Sequence, residues 1–140
     1  MTTRTAPILY FAYGHDLSKE LMKARAPDSI AKLTAVLPNY RLVFLGWSRQ
    51  WKGGTATIRA THGQRVEGGV YEITDGDLRR LDSLEGYPGQ ASRISVNVFT
   101  EASQPLKAFT YIKTGQAQEN KPSPEYLAII REGYRDWGID

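Results

Sequence analysis

Ile8-Leu9-Tyr10-Phe11-Ala12-Tyr13-Gly14-His15-Asp16-Leu17 is the most informative stretch of this chain, because an apolar and aromatic run ends abruptly at a glycine. This pattern predicts a buried strand over residues 8–13 that enters a tight loop, with a helix beginning near Leu17. A strand, a glycine loop and a helix N-terminus present backbone N–H groups to one point, where a carboxylate or a developing oxyanion binds. The alternative is an ordinary strand–turn–helix corner without a ligand.

A second segment, residues 75–88, reads as one short helix that ends at Gly86, a residue suited to a left-handed C-cap. Leu78, Leu81 and Glu85 follow the spacing i, i+3, i+7 and therefore share one helix face. The leucines face the core, so we expect Glu85 to point inward at the last turn of its helix.

An inward Glu85 has the properties of a general base. The negative end of the helix dipole raises the pKa of a carboxylate, and desolvation raises it further. A carboxylate with a raised pKa transfers protons effectively near neutral pH. The alternative is that Glu85 turns to water or pairs with an arginine such as Arg79 or Arg93.

Four motifs in order give the chain a resemblance to the gamma-glutamylcyclotransferase-like superfamily. The motifs are Tyr10-Phe11-Ala12-Tyr13-Gly14-His15-Asp16-Leu17, Gly53-Gly54-Thr55-Ala56-Thr57-Ile58, Leu81-Asp82-Ser83-Leu84-Glu85-Gly86-Tyr87-Pro88 and Pro122-Ser123-Pro124-Glu125-Tyr126-Leu127-Ala128-Ile129-Ile130. Two positions depart from the family pattern. His15-Asp16 stands where the first motif has Ser-Asn, and Ala91 or Ser92 replaces a tyrosine that follows Glu-Gly-Tyr-Pro. Asp16 is expected to cap the following helix, where short acidic side chains are favoured.

The resemblance implies an enzyme that cyclises an L-gamma-glutamyl amine or amino acid to 5-oxoproline and releases the free amine. It implies Glu85 as the catalytic acid and base, and it needs no cofactor or metal. The implied substrate-binding residues are Tyr10, Phe11, Ala12, Tyr13, Gly14, His15 and Tyr126. Tyr126 has an alternative role as a core tyrosine of the last helix. Hydrolysis of an amide on the same scaffold and a binding protein without catalysis remain open as alternatives.

Length and composition set further bounds. A chain of 140 residues with 41% hydrophobic and 24% charged residues predicts one globular domain over 1–140. Because there is no cysteine, disulfides and thiolate chemistry are excluded. His15 and His62 are the only histidines and lack metal-ligand spacing, so the sequence predicts no metal site.

The net charge of +3 raises the question of a nucleic-acid partner. Five basic residues and two tryptophans lie between residues 41 and 65, but strand residues separate the charges and no dense basic run forms. We therefore expect no nucleic-acid partner and a small-molecule substrate instead. No stretch reaches membrane-spanning length, and residues 1–7 lack an apolar signal core, so we expect the cytoplasm and no membrane contact. The sequence leaves the oligomeric state open.

The order of elements predicts an α+β fold with a small curved mixed sheet or barrel and a few flanking helices. Strand patterns are expected over 8–13, 32–46, 55–60, 66–73, 94–100 and 106–112, with a turn around His62-Gly63-Gln64. Helices are expected over 17–25, over 75–85 and from Pro124 to about Trp137.

Overall fold

The computed structural model describes residues 7–115 and 117–139, and in this part of the chain five strands close into a barrel with helices packed outside. The elements are β1 (Ile8–Ala12), a single turn of 3-10 helix (His15–Leu17), α1 (Lys19–Arg25), β2 (Ile30–Ser48), β3 (Gly53–Ile73), α2 (Asp75–Glu85), β4 (Ala91–Phe99), β5 (Pro105–Lys113) and α3 (Pro124–Trp137). Residues 1–6 belong to the N-terminal segment that was expected to lack a signal core, and they lie outside the described ranges. No helix in the described ranges is long and apolar enough to cross a membrane.

Strand β1 closes the barrel. The strand order is β1-β3-β2-β4-β5, and β1 pairs with both β3 and β5. Tyr10 lies opposite Tyr71 of antiparallel β3 and opposite Phe109 of parallel β5. The β2–β3 and β4–β5 pairs are joined to each other by the pairing of β2 with β4, where Val36 lies opposite Phe99. The predicted α+β class with a mixed, barrel-like sheet is therefore confirmed.

The two faces of β1 enter two different cores. Phe11 and Tyr13 belong to a cluster built from strand residues, which fills the barrel interior. Tyr10 and Ala12 belong to a second cluster, which includes helix residues such as Leu81 and lies between the barrel and the helices. A strand buried on both faces needs a continuous apolar sequence, and this explains the aromatic run before Gly14.

Strands β2 and β3 form one long hairpin. The predicted turn at 62–64 is wrong, because β3 continues from Gly53 to Ile73. The register passes from Pro38 opposite Arg65 to Tyr40 opposite Ala60, so residues 61–64 bulge out opposite Asn39. The N–H of Gly63 donates to Asn39 Oδ1 at 3.0 Å. The residues expected to form a turn thus form a bulge within the continuous strand β3.

The ends of α2 agree with the sequence prediction. Thr74 Oγ1 accepts a hydrogen bond from the Asp77 N–H, and Asp77 in turn accepts from the Thr74 N–H, which completes a capping box. Gly86 ends the helix in the left-handed conformation, with φ 76°. This cap fixes Glu85 as the last residue of the helix.

The start of α1 differs from the prediction. Ser18, not Asp16, is the N-cap, because Ser18 Oγ accepts the Leu21 N–H. The expected helix from Leu17 is interrupted there, since Ser18 has extended backbone geometry with ψ 114°. The predicted hairpin of β4 and β5 and the predicted last helix are present with nearly the expected bounds.

Helix α3 packs directly on the backbone that follows the glycine loop. A Cβ atom at Gly133 would lie 2.6 Å from Leu17 Cβ and 2.7 Å from Ser18 N. The Trp137 indole N–H donates to the Leu17 carbonyl oxygen at 2.8 Å. The position of the loop therefore depends on a close approach that only glycine permits.

We predict that Gly133→Ala lowers the free energy of unfolding by roughly 1–3 kcal/mol, because the new methyl group meets backbone that has no space to yield. Gly76→Ala is the matched control in α2, since its Cβ would lie 3.7 Å from the nearest atom, Thr74 Oγ1. That control should leave stability unchanged or raise it by up to about 1 kcal/mol. Urea unfolding measures both, and equal stability of the two variants would contradict the packing argument.

Candidate active site

A small cavity opens where the end of β1 meets the end of α2. Its lining residues are Tyr10, Tyr13, Gly14, His15, Asp16, Ala56, Glu85 and Tyr111. The space inside it that is open to a water-sized sphere is about 20 Å³. The two sequence segments that carried the functional prediction thus meet in one place, although some 70 residues separate them in the chain.

The loop after β1 offers backbone donors to this cavity. The 3-10 turn uses the Leu17 and Ser18 N–H groups, which donate to the Gly14 and His15 carbonyl oxygens at 3.1 and 3.0 Å. Within 7–115 and 117–139, no residue accepts a hydrogen bond from the N–H groups of Gly14, His15 or Asp16. Unused N–H groups at a helical first turn favour an anionic ligand.

Gly14 lies in the loop because space there is limited. Its φ is −120°, so the left-handed conformation that favours glycine is not the reason for it. A Cβ atom at Gly14 would lie 3.0 Å from Ala56 Cβ and 4.0 Å from Tyr126 Oη. The missing side chain keeps this wall of the cavity open.

Glu85 points inward, as its helical spacing predicts. Its side chain is 24% exposed and its Oε2 lies 2.5 Å from Arg25 Nη2. The partner is therefore Arg25, the last residue of α1, and neither Arg79 nor Arg93. Because the guanidinium takes Oε2, the second carboxylate oxygen, Oε1, remains for other contacts.

The electrostatic surroundings of Glu85 favour proton uptake. Burial raises the pKa of its carboxyl above the ordinary value, and the nearby Asp16 carboxylate raises this pKa further. The cations of Arg25 and Lys113 oppose the rise without cancelling it. Glu85 thus holds a proton more readily than a solvated glutamate does.

Asp16 is a buried anion and not a helix cap. Its side chain is 3% exposed, and its Oδ2 accepts the Tyr10 hydroxyl at 2.7 Å. Its Oδ1 lies 2.8 Å from Arg25 Nε, although this N–H does not point at the oxygen well enough to form a hydrogen bond. Burial by itself raises the pKa of Asp16, but the charges of His15 and Arg25 and the Tyr10 hydrogen bond outweigh it, so this pKa lies below its ordinary value.

An aromatic group flanks the cavity. Tyr126 is 1% exposed, and its hydroxyl oxygen accepts the Ala56 N–H at 2.9 Å. The His15 and Trp51 rings lie 5.5 and 5.2 Å from the Tyr126 ring, centroid to centroid. Burial raises the pKa of Tyr126 above its ordinary value, so the hydroxyl keeps a proton that it can donate. Tyr126 is therefore both a core residue of α3 and a neighbour of the cavity.

The structure brings most of the predicted site residues together. Tyr10, Tyr13, Gly14, His15 and Glu85 line the cavity. Phe11 and Ala12 do not, because both side chains are fully buried in the two cores on either side of β1. The sequence prediction included them because it treated the whole first motif as a binding segment.

Four residues of the site escaped the sequence analysis, namely Arg25, Trp51, Ala56 and Tyr111. Arg25 ends α1, while Asp16 lies before this helix and Glu85 is 60 residues further along the chain, so no helical spacing links the three. Ala56 lies within the quoted Gly-Gly motif, and this motif was the available signal for its place beside Gly14. Tyr111 lies on β5, and it joins the cavity only because the barrel closes.

Among residues 7–115 and 117–139, no group of three or more His, Cys, Asp or Glu side chains lies close enough together to hold a metal ion.

We predict that His15 is neutral at pH 7, because burial lowers its pKa below the ordinary value of 6.5. Between the lowered pKa and 6.5, the folded protein binds fewer protons at His15 than the unfolded chain does. The free energy of unfolding therefore rises with pH through this window and gains nothing more from His15 above it. The ¹H NMR titration of the His15 ring measures this pKa, with His15→Gln to assign the signal. A midpoint at or above 6.5 would contradict the buried placement.

Known proteins are similar to this chain in sequence and in fold. Residues 10–134 match the family model described as "Gamma-glutamyl cyclotransferase, AIG2-like". The Gamma-glutamylcyclotransferase of Homo sapiens is 33% identical over 136 residues, which make up 94% of this chain and 72% of that protein. The protein of the same name from Bos taurus is 32% identical over the same shares of each chain. A solved structure named gamma-glutamyl cyclotransferase superposes with a TM-score of 0.90 and 32% identity, covering 95% of this chain and 81% of that one. The chain therefore belongs to the gamma-glutamyl cyclotransferase, AIG2-like family.

Proposed function

We propose that this chain is a gamma-glutamylcyclotransferase that converts an L-gamma-glutamyl amine or amino acid into 5-oxoproline and a free amine, with Glu85 as the general acid and base. The observation that carries the proposal is the placement of the Glu85 carboxyl in one small cavity with the Gly14 loop. A proton carrier and a set of backbone donors are the two elements that this reaction requires.

The substrate supplies much of the catalysis itself. Its α-amine and its γ-carbonyl carbon belong to the same glutamyl group, so closure of the five-membered lactam is intramolecular and proximity costs little. The protein must fold the glutamyl group, remove one proton from the α-ammonium and return one proton to the leaving nitrogen.

Glu85 suits both proton transfers. Its carboxylate first takes a proton from the α-ammonium, and the free amine then attacks the γ-carbonyl carbon. As the tetrahedral oxyanion collapses and the bond to the leaving nitrogen breaks, protonated Glu85 gives its proton to that nitrogen. The excess proton that the attacking nitrogen still carries then leaves the ring, so the lactam is neutral and the released amine takes up this proton as an ammonium ion. The raised pKa of Glu85 favours this exchange near neutral pH.

The Gly14 loop and Tyr126 are the proposed anion-binding groups. The N–H groups of Gly14, His15 and Asp16 lie at the first turn after β1, where they can hold the substrate carboxylate or the oxyanion. The Tyr126 hydroxyl accepts the Ala56 N–H and keeps its own proton for donation. The Tyr13 hydroxyl donates to the Tyr111 carbonyl oxygen at 2.6 Å, so it holds the cavity wall in place.

The decisive experiment separates cyclisation from hydrolysis and from simple binding. The protein is incubated with a panel of gamma-glutamyl amines and gamma-glutamyl amino acids in H₂¹⁸O, and the products are identified by mass spectrometry. Unlabelled 5-oxoproline with the free amine supports the proposal. Glutamate carrying ¹⁸O would identify an amide hydrolase, and binding without any product would identify a non-catalytic protein.

We predict that Glu85→Gln lowers kcat by roughly 10²–10⁴-fold, the usual contribution of a general acid or base. Glu72→Gln is the matched control, because Glu72 is a glutamate of a surface ion pair with Lys32. Turnover of Glu85→Gln within about tenfold of the unmodified protein would remove Glu85 from the mechanism.

The same substitution should not lower stability. Because the pKa of Glu85 is raised in the folded state, its contribution to the free energy of unfolding falls as pH rises from the ordinary pKa through the raised one. In Glu85→Gln this decrease in the free energy of unfolding with rising pH should be absent. Urea unfolding at several pH values measures it. This result would show that lost turnover comes from lost chemistry and not from misfolding.

We further predict where the product binds. A crystal soaked in 5-oxoproline should show its carboxylate oxygens about 2.7–3.2 Å from backbone nitrogens of residues 13–16. A ligand seated instead against exposed Trp47, with the Gly14 loop empty, would overturn the placement of the anion site.

A further inference from the structure

One cation serves two carboxylates beneath the proposed active site. Arg25 Nε lies 2.8 Å from Asp16 Oδ1, and Arg25 Nη2 lies 2.5 Å from Glu85 Oε2. The Arg25 side chain is 14% exposed, so water screens these contacts weakly. Helix α1 thus places a single guanidinium between the buried carboxylate of Asp16 and the carboxylate of Glu85, which lines the cavity.

We propose that Asp16 and Arg25 are positioning residues for Glu85. Asp16 anchors the guanidinium so that it binds only one oxygen of Glu85 and leaves the other free to take and return a proton. This inference rests on the proposed function of Glu85.

The anchor is rigid on its other side. Asp16 Oδ2 accepts the Tyr10 hydroxyl at 2.7 Å, and the Asp16 carbonyl oxygen accepts the Tyr71 hydroxyl at 2.9 Å. Tyr10 and Tyr71 face each other on β1 and β3. The carboxylate that holds Arg25 is therefore attached to the barrel itself, and Arg25 has no freedom to follow Glu85 completely.

The sharing of the Arg25 guanidinium between Asp16 and Glu85 sets the proton affinity of Glu85. With Asp16 in place, Arg25 is shared, and the second anion repels charge on Glu85. Without Asp16, the whole guanidinium is available to Glu85 and stabilises its carboxylate. Without Arg25, two carboxylates lie together with no cation between them, and Glu85 holds its proton strongly.

Other ionisable groups face Glu85, and neither substitution removes any of them. They are Lys113 and Tyr111 of β5, Tyr10 of β1, Tyr13 in the loop that follows β1, and Tyr126 of α3. His15 interacts with Asp16 and Arg25, so substitution of either residue changes its titration as well. A pH–rate profile alone would therefore report the titrations of His15 and Glu85 together, and the test needs a direct probe of the Glu85 carboxyl.

The experiment compares Asp16→Asn with Arg25→Met. Titration of the Glu85 ¹³Cδ signal in glutamate-labelled protein, assigned with Glu85→Gln, measures the proton affinity directly. The acidic limb of kcat/KM, measured on a gamma-glutamyl amine that the protein turns over, measures its catalytic consequence. We expect Asp16→Asn to move the ¹³C midpoint down by roughly one pH unit and Arg25→Met to move it up by at least as much.

Controls match each change in charge. Glu72→Gln and Lys32→Met remove one charge each from a surface ion pair and should leave both profiles in place. If Arg25→Met does not fold, the double variant Asp16→Asn, Arg25→Met removes one charge of each sign and so restores the balance of charge. In that case the Glu85 midpoint of Asp16→Asn alone decides the question.

Opposite shifts of the Glu85 signal in the two variants support the proposal. An unmoved midpoint in Asp16→Asn, or shifts in the same direction, would overturn it. The carbon titration also distinguishes this failure from that of the proposed function, because it needs no turnover. A protein that acts on no gamma-glutamyl compound but shows opposite shifts would refute the reaction and keep the network.

Discussion

The site depends on the pairing of β1 with strands on both of its edges. Because β1 lies between antiparallel β3 and parallel β5, the barrel closes around it and its end cannot move. The chain must leave such a strand through a tight loop, and Gly14 begins that loop beside Ala56 of β3. Helix α3 then covers the loop through Gly133 and Trp137. The backbone donors are therefore fixed before a ligand arrives, which is what electrostatic preorganisation requires.

The second constraint is the cost of placing two carboxylates in one buried region. A buried anion without a partner is strongly unfavourable, and Asp16 offsets this cost with Arg25 and the Tyr10 hydroxyl. The same contacts join three consecutive elements of the chain, namely β1, the 3-10 turn and α1. Asp16 therefore contributes to both tertiary structure and electrostatics, and the family's Asn at this position would supply hydrogen bonds without the charge.

The sequence predicted those features that arise from local patterns. The inward Glu85 followed from helical spacing and from a glycine cap, and both depend on residues within a few turns. The barrel-like sheet followed from strand patterns together with the family resemblance. The supposed turn at 62–64 failed because the partner strand decides whether Gly63 ends a strand or bulges from it, and Asn39 is remote in sequence. Arg25 was missed for the same reason, since only the closed fold brings the end of α2, with Glu85, against the end of α1.

A general acid and base in a small pocket must avoid two extremes. A glutamate that is fully paired with an arginine keeps its charge too firmly to accept a proton, while an isolated buried glutamate is protonated and cannot act as a base. In the proposed mechanism, sharing the Arg25 guanidinium with Asp16 places Glu85 between these extremes. Lactam closure requires the same proton carrier to act in both directions within one turnover, so an intermediate proton affinity suits it better than either extreme. If Glu85 is the base, as proposed, the arrangement around Asp16 connects the closed barrel to the chemistry, because Tyr10 of the strand that closes the sheet donates to the anion that shares Arg25 with Glu85.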